Sequence, residues 1–134
     1  MANGTEYRLL KFNIPATAAD ETIYDLWDYP QDGVIESVTY VPDDAVTAND
    51  TNYANFTLSN ATVSVTIATF STETSGSGGT GNQTAGTAIA VSLSASGAGL
   101  DLVEDDVLSF AKVDSGSGVT AGGSLIVKVR LNRN

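Results

Sequence analysis

The sequence predicts an all-β domain: a sandwich, jelly roll or barrel of about eight short strands. Three observations predict it. Apolar and polar residues alternate in most segments, most clearly where Leu125, Val127, Val129 and Leu131 interleave with Lys128 and Arg130. A period of two is that of a half-buried strand. Clusters of Gly, Pro, Asn, Asp and Ser break the chain at short intervals, and no segment carries a convincing long helical period. At 134 residues the chain forms one domain, residues 1–134, able to bury a core without metal or disulfide staples.

Tyr7–Ile14 is the first predicted strand, with Arg8 and Lys11 on it and Pro15 at its end. Ala18–Leu26 would support a helical turn, but Ile23, Tyr24, Trp27 and Tyr29 favour a strand over Thr22–Tyr29. Pro30-Gln31-Asp32-Gly33 is a β-turn by composition, and Val34–Val41 is a strand ended by Pro42. After the polar loop Asp43–Asn52, Tyr53–Ser59 alternates Ala54, Phe56 and Leu58 with Tyr53, Asn55 and Thr57. Asn60-Ala61 is a hairpin turn leading into Thr62–Phe70, with Val63, Val65 and Ile67 on one face.

Ser71–Gly86 is rich in Gly, Ser and Thr, and is expected to be a flexible loop that only a neighbouring subunit would hold in place. Thr87–Ser96 turns Ile89, Val91 and Leu93 inward, and Gly97–Glu104 is a connection. Asp106–Val113 and Leu125–Leu131 complete the set as an expected terminal hairpin. Gly116, Gly118, Gly122 and Gly123 supply positive φ in its connection. The predicted core gathers Leu125, Val127, Val129, Ile89, Val91, Leu93, Val63, Val65 and Ile67.

Composition excludes more chemistry than it suggests. The chain has no Cys and no His, and so lacks a thiolate nucleophile, a disulfide framework, the commonest general base and the commonest transition-metal ligand. Only carboxylate catalysis or a hard-cation site stays open. The net charge is −10, and no Lys or Arg occurs between Phe12 and Ala111. A phosphate backbone is therefore a poor partner, and no apolar run reaches the roughly 20 residues that span a bilayer. The first residues lack the basic and apolar regions of a signal peptide, so the chain is expected to be made and kept in the cytoplasm.

Asp43, Asp44, Asn49 and Asp50, and Asp101, Glu104, Asp105 and Asp106, supply oxygen ligands of the type calcium takes. Neither cluster has EF-hand spacing, and acids that start turns account for both, so no metal and no cofactor are expected. No pair of acids stands out for glycoside hydrolysis. Five Asn-X-Thr triplets, from Asn3 to Asn82, follow from the abundance of Thr. Trp27 with Tyr24 and Tyr29 is either a sugar-stacking platform or part of the core. The concentrated positive feature is Arg8, Lys11, Lys128 and Arg130, which would form one basic stripe if the first and last strands are neighbours.

Three stretches together, FNIPATAADET, GVIESVTYVPDDAVTANDTNYANFTLSN and DDVLSFAKVDSGSGVTAGGSLIVKV, resemble small all-β structural proteins of tailed bacteriophages and prophages. The resemblance covers nearly the whole chain. It implies a virion protein without enzymatic activity, of the capsid decoration (cement) type. Its partners would be the major capsid protein and further copies of itself, with a trimer favoured by the axes of a shell. It would be assembled in the host cytoplasm and located on the capsid exterior. Arg8, Lys11, Lys128 and Arg130 are the candidate capsid-contact residues. A carbohydrate-binding or adhesin-like module of a phage tail or cell surface is the alternative, and a calcium-dependent accessory domain comes third.

Overall fold

A computed structural model describes residues 6–75 and 78–132. Among the described residues nine strands make up the fold: β1 (Tyr7–Thr17), β2 (Glu21–Trp27), β3 (Gly33–Pro42), β4 (Tyr53–Asn60), β5 (Val65–Ser71), β6 (Ile89–Val91), β7 (Asp101–Leu102), β8 (Asp106–Ser115) and β9 (Ala121–Leu131). They form two antiparallel sheets packed as a sandwich, and with the two-residue β7 set aside their strand orders are those of an eight-stranded jelly roll. The five-stranded sheet runs β1-β9-β3-β6, with β7 beside the start of β3, and the four-stranded sheet runs β2-β8-β4-β5. All eight expected strands are present. The additional one is the two-residue β7, inside the segment expected to be only a connection.

The terminal hairpin is not formed. β8 lies between β2 and β4, and β9 lies between β1 and β3 in the other sheet. Both flanks of each strand are already paired, so the 116–120 connection crosses from one layer to the other. Gly116 and Gly118 make that crossing with φ of 65° and 76°. Gly122 and Gly123 belong to β9, and their lack of a side chain serves close approach. A Cβ on Gly123 would run into the Val41 carbonyl oxygen and lie 2.9 Å from Pro42 Cα. Gly123→Ala should therefore cost at least about 1–3 kcal/mol, the range for forced overpacking. A urea midpoint equal to that of the parent protein would mean that β9 and β3 do not approach so closely.

The interior is built from alternate residues of both sheets. Phe56, Phe70, Phe110, Tyr40 and Phe12 form its aromatic centre, with Phe56 and Phe70 stacked at 4.7 Å and 8° between planes. Of the expected core residues, Leu125, Val127, Val129, Val91 and Ile67 are buried, and Ile89, Leu93 and Val65 are half-buried. Val63 is the error: it is 55% exposed. The turn from β4 to β5 covers residues 61–64, with Ser64 at φ 57°, so β5 starts at Val65 and Val63 is left at the tip. The expected strand Thr87–Ser96 is also cut short. Ile89–Val91 pairs with β3, and the chain then changes layer so that Leu93 bridges Ala68 on β5.

The first strand does not stop at Pro15. It continues to Thr17 with an irregularity after Ile14, where an unpaired edge tolerates a missing N–H. The loop over residues 71–86 is held by this chain itself, where a neighbouring subunit had been expected. The Ser71 amide donates to Gly78 O (2.8 Å), Val46 and Gln83 exchange two backbone hydrogen bonds (2.8 and 2.9 Å), and Gly86 N donates to Pro42 O (2.9 Å). Ser71, Thr72 and Gln83 are buried. Backbone pairing with the polar 43–52 loop supplies the order that the loop's apolar content does not. Residues 76 and 77 lie outside the described residues.

One end of the sandwich is fastened by a buried cation. Lys112 on β8 is fully buried among the core side chains. Its ammonium donates to Thr17 O (2.6 Å) and Ala19 O (3.1 Å), and lies 3.0 and 3.1 Å from the two carboxylate oxygens of Asp114. It thus ties the four-stranded sheet to the turn between β1 and β2. The opposite end has a smaller counterpart. There the buried Asp106 carboxylate accepts from Asn60 Nδ2 (2.9 Å) and Val103 N (3.1 Å).

Candidate interaction face

Strands β1 and β9 are neighbours, as a joint basic stripe requires, and their register sets Tyr7 opposite Arg130, Leu9 opposite Lys128 and Lys11 opposite Ile126. Phe12 and Ile14 point into the core, so the odd-numbered Tyr7, Leu9 and Lys11 project outward with Ile126, Lys128 and Arg130 of β9. Three of the four expected contact residues therefore share one outer face. Arg8 does not. It alternates with Tyr7 and Leu9, and its guanidinium lies 4.2 Å from the centroid of Tyr29, at the edge of the interior side. Arg133 lies outside the described residues.

The face combines charge with exposed apolar surface. Leu9 is 67% and Tyr7 42% exposed, and Lys128 Nζ lies 4.1 Å over the Tyr7 ring. An exposed cation over an aromatic ring stabilises by about 0.5–1 kcal/mol, enough to position the ammonium while leaving it reachable. Arg130 Nε donates to Glu36 Oε2 at 3.0 Å. Glu36 is the extra residue of an irregularity in β3 between Ile35 and Ser37, and it lies exposed on the outer side. Lys11 makes no ion pair with a described residue. With Lys11, Lys128 and Arg130 set against Glu36, the outer face of these three strands is positive on a chain of net charge −10.

The other candidate features come apart. Trp27 is a core residue, 1% exposed, whose Nε1 donates to Gln31 O at 3.1 Å. Tyr24 projects from the other side of β2, so no platform of Trp27 with Tyr24 exists. In the first acidic loop Asn49 Oδ1 caps Thr51 and Asn52, and Asp50 Oδ1 accepts from Thr74 N. Among the described residues no three acidic side chains converge as a metal-binding group. A groove of about 270 Å³ opens between Thr69-Phe70, Gly78–Thr80 and Ile89–Ser92, with no titratable side chain on its walls. The Tyr40 hydroxyl is buried without a hydrogen-bond partner among the described residues. Burial, and then the charge of Asp43, push its pKa well above the usual tyrosine range. It therefore stays neutral and is unsuited to proton transfer.

No family model matches the chain, and no curated protein matches it in sequence. Neither the burial of Lys112 nor the outward exposure of Leu9 and Tyr7 is among the expectations drawn from the sequence. The expected stripe also groups Arg8 with Lys11, although a period of two sets residues 8 and 11 on opposite sides of a strand.

Proposed function

We propose that the chain is a virion structural protein, a capsid decoration protein that docks on the outside of a phage shell and bridges neighbouring capsid subunits. The observation that carries this reading is the concentration of Lys11, Lys128 and Arg130 around exposed Leu9 and Tyr7 on an otherwise acidic sandwich. Apolar contact at the centre with cations around it is the usual anatomy of a docking patch. The complementary partner is an acidic area of the major capsid protein, with the acidic remainder of this chain facing solvent. Bound copies act as a homo-oligomer, so that individually weak contacts add through effective concentration and resist pressure from packaged DNA. The role needs no catalytic set and no cofactor.

Binding of the purified protein to assembled shells, but not to free capsid subunits, is the expected result. Lys11→Glu with Lys128→Glu should weaken it about tenfold or more and flatten its decline with salt, since charges at the rim act mainly on encounter and salt dependence. Shell binding that ignored both substitutions would remove this face from the proposal. Binding to a glycan array without any binding to shells would replace decoration with the carbohydrate-binding reading.

A further inference from the structure

The outer face of the four-stranded sheet differs from the rest of the surface. The inward residues of β2, β8 and β4 include Glu21, Asp25, Asp106, Lys112 and Asp114, so every charge on these paired strand segments is turned toward the interior or its rim. The outward residues are Tyr24, Leu26, Val107, Ala111 and Val113 surrounded by Ser, Thr, Asn and Tyr side chains, none of them ionisable near neutral pH. Tyr24 is 65%, Val113 51% and Leu26 46% exposed. A chain with 16 acids and 6 bases thus keeps one whole sheet face free of charge.

We propose that this face is covered by a second copy of the same chain. Two copies, each of net charge −10, repel over most relative orientations. They meet without opposing charges when this face packs on itself, and the contact also removes the exposed Tyr24, Leu26 and Val113 from water. A surface that meets itself is isologous, so copies associate in twos about a twofold axis, sheet on sheet, roughly 10 Å apart. Four strands spaced about 4.8 Å apart, at about 3.3 Å per residue, give roughly 500 Å² per copy and roughly 1,000 Å² for both. That is the lower limit for a specific interface. The pair is therefore weak and reversible in solution, and is reinforced when both copies are tethered to one surface. The pairing uses the face opposite to the cationic one and does not depend on the decoration reading.

Sedimentation velocity of the full chain over a concentration series tests it. A monomer–dimer equilibrium is expected, tightening as salt screens the remaining repulsion, the opposite of the salt response expected for the cationic face. Tyr24→Glu with Val113→Glu should weaken dimers about 100-fold or more, because each substitution appears twice in a twofold contact. Both sites are exposed, so the far-UV circular dichroism and melting temperature of this variant should match the parent. Leu9→Glu, on the other sheet, should leave the dimer intact. A monomer at every concentration and salt would overturn the proposal, as would a trimer as the first assembled species. Dimers that survive the double substitution but dissociate with Leu9→Glu would overturn it as well. A glycan bound by the monomer and lost with Tyr24→Glu would identify a different occupant.

Discussion

Lys112→Met is expected to destabilise the protein by about 3–5 kcal/mol, the cost of removing one partner of a buried ion pair. Two consequences add up. The Asp114 carboxylate, whose side chain is 10% exposed, loses the ammonium 3.0 Å away, and the carbonyls of Thr17 and Ala19 lose their shared donor. Methionine matches the length of the side chain, so the loss reflects charge and hydrogen bonding rather than a cavity. Asp114→Asn should cost less, because the ammonium keeps both carbonyl acceptors. Lys112→Met combined with Asp114→Leu should be less harmful than the sum of its single changes, since no charge is then left buried. Urea unfolding of the parent, Lys112→Met, Asp114→Leu and the double substitution gives the coupling directly. A Lys112→Met midpoint within error of the parent would mean that this ammonium does not fasten the end of the sandwich.

Lys112 also shows where sequence reasoning stops. Alternation along Leu108, Phe110 and Lys112 places all three on one face, and the structure confirms that face as buried. The opposite face, with Val107 and Val113, is apolar enough to compete, and lysine alone argues for solvent. What decides the matter is a carbonyl 95 residues earlier in the chain, beyond any local pattern. The false terminal hairpin has a similar origin. Strands β8 and β9 each satisfy every local rule for a strand, and a Gly-rich connector is as suitable for crossing layers as for reversing within one. Strand existence and inward faces depend on neighbours two residues away and were legible. Pairing depends on strands up to a chain length apart and was not. The cationic face was legible in half. Lys128 and Arg130 share a parity, but whether β1 lay beside them rested on the topology.

Val127→Asp should abolish the folded state at neutral pH, with a cost above about 4 kcal/mol where whole domains have about 5–15. Val127 is completely buried, and it pairs with Leu10 on one side and Val38 on the other. Strand β9 is the strand to which both β1 and β3 are hydrogen-bonded, so damage there cannot be confined to an edge. The new carboxylate would have neither a cation nor a hydrogen-bond donor directed at it. Burial raises its pKa in the folded state above the unfolded value of about 3.9. The sign of the pH response follows: the penalty is full well above the folded pKa and disappears as pH falls below the unfolded one. Val127→Asn has a polar side chain of similar size with no proton to gain. Far-UV circular dichroism should therefore show Val127→Asp recovering β structure on mild acidification relative to Val127→Asn, while Val127→Ala stays folded throughout. Equal behaviour of the Asp and Asn proteins across pH would show that the carboxylate escapes to solvent. In that case β9 would not be the sealed interior strand on which the cationic face is mounted.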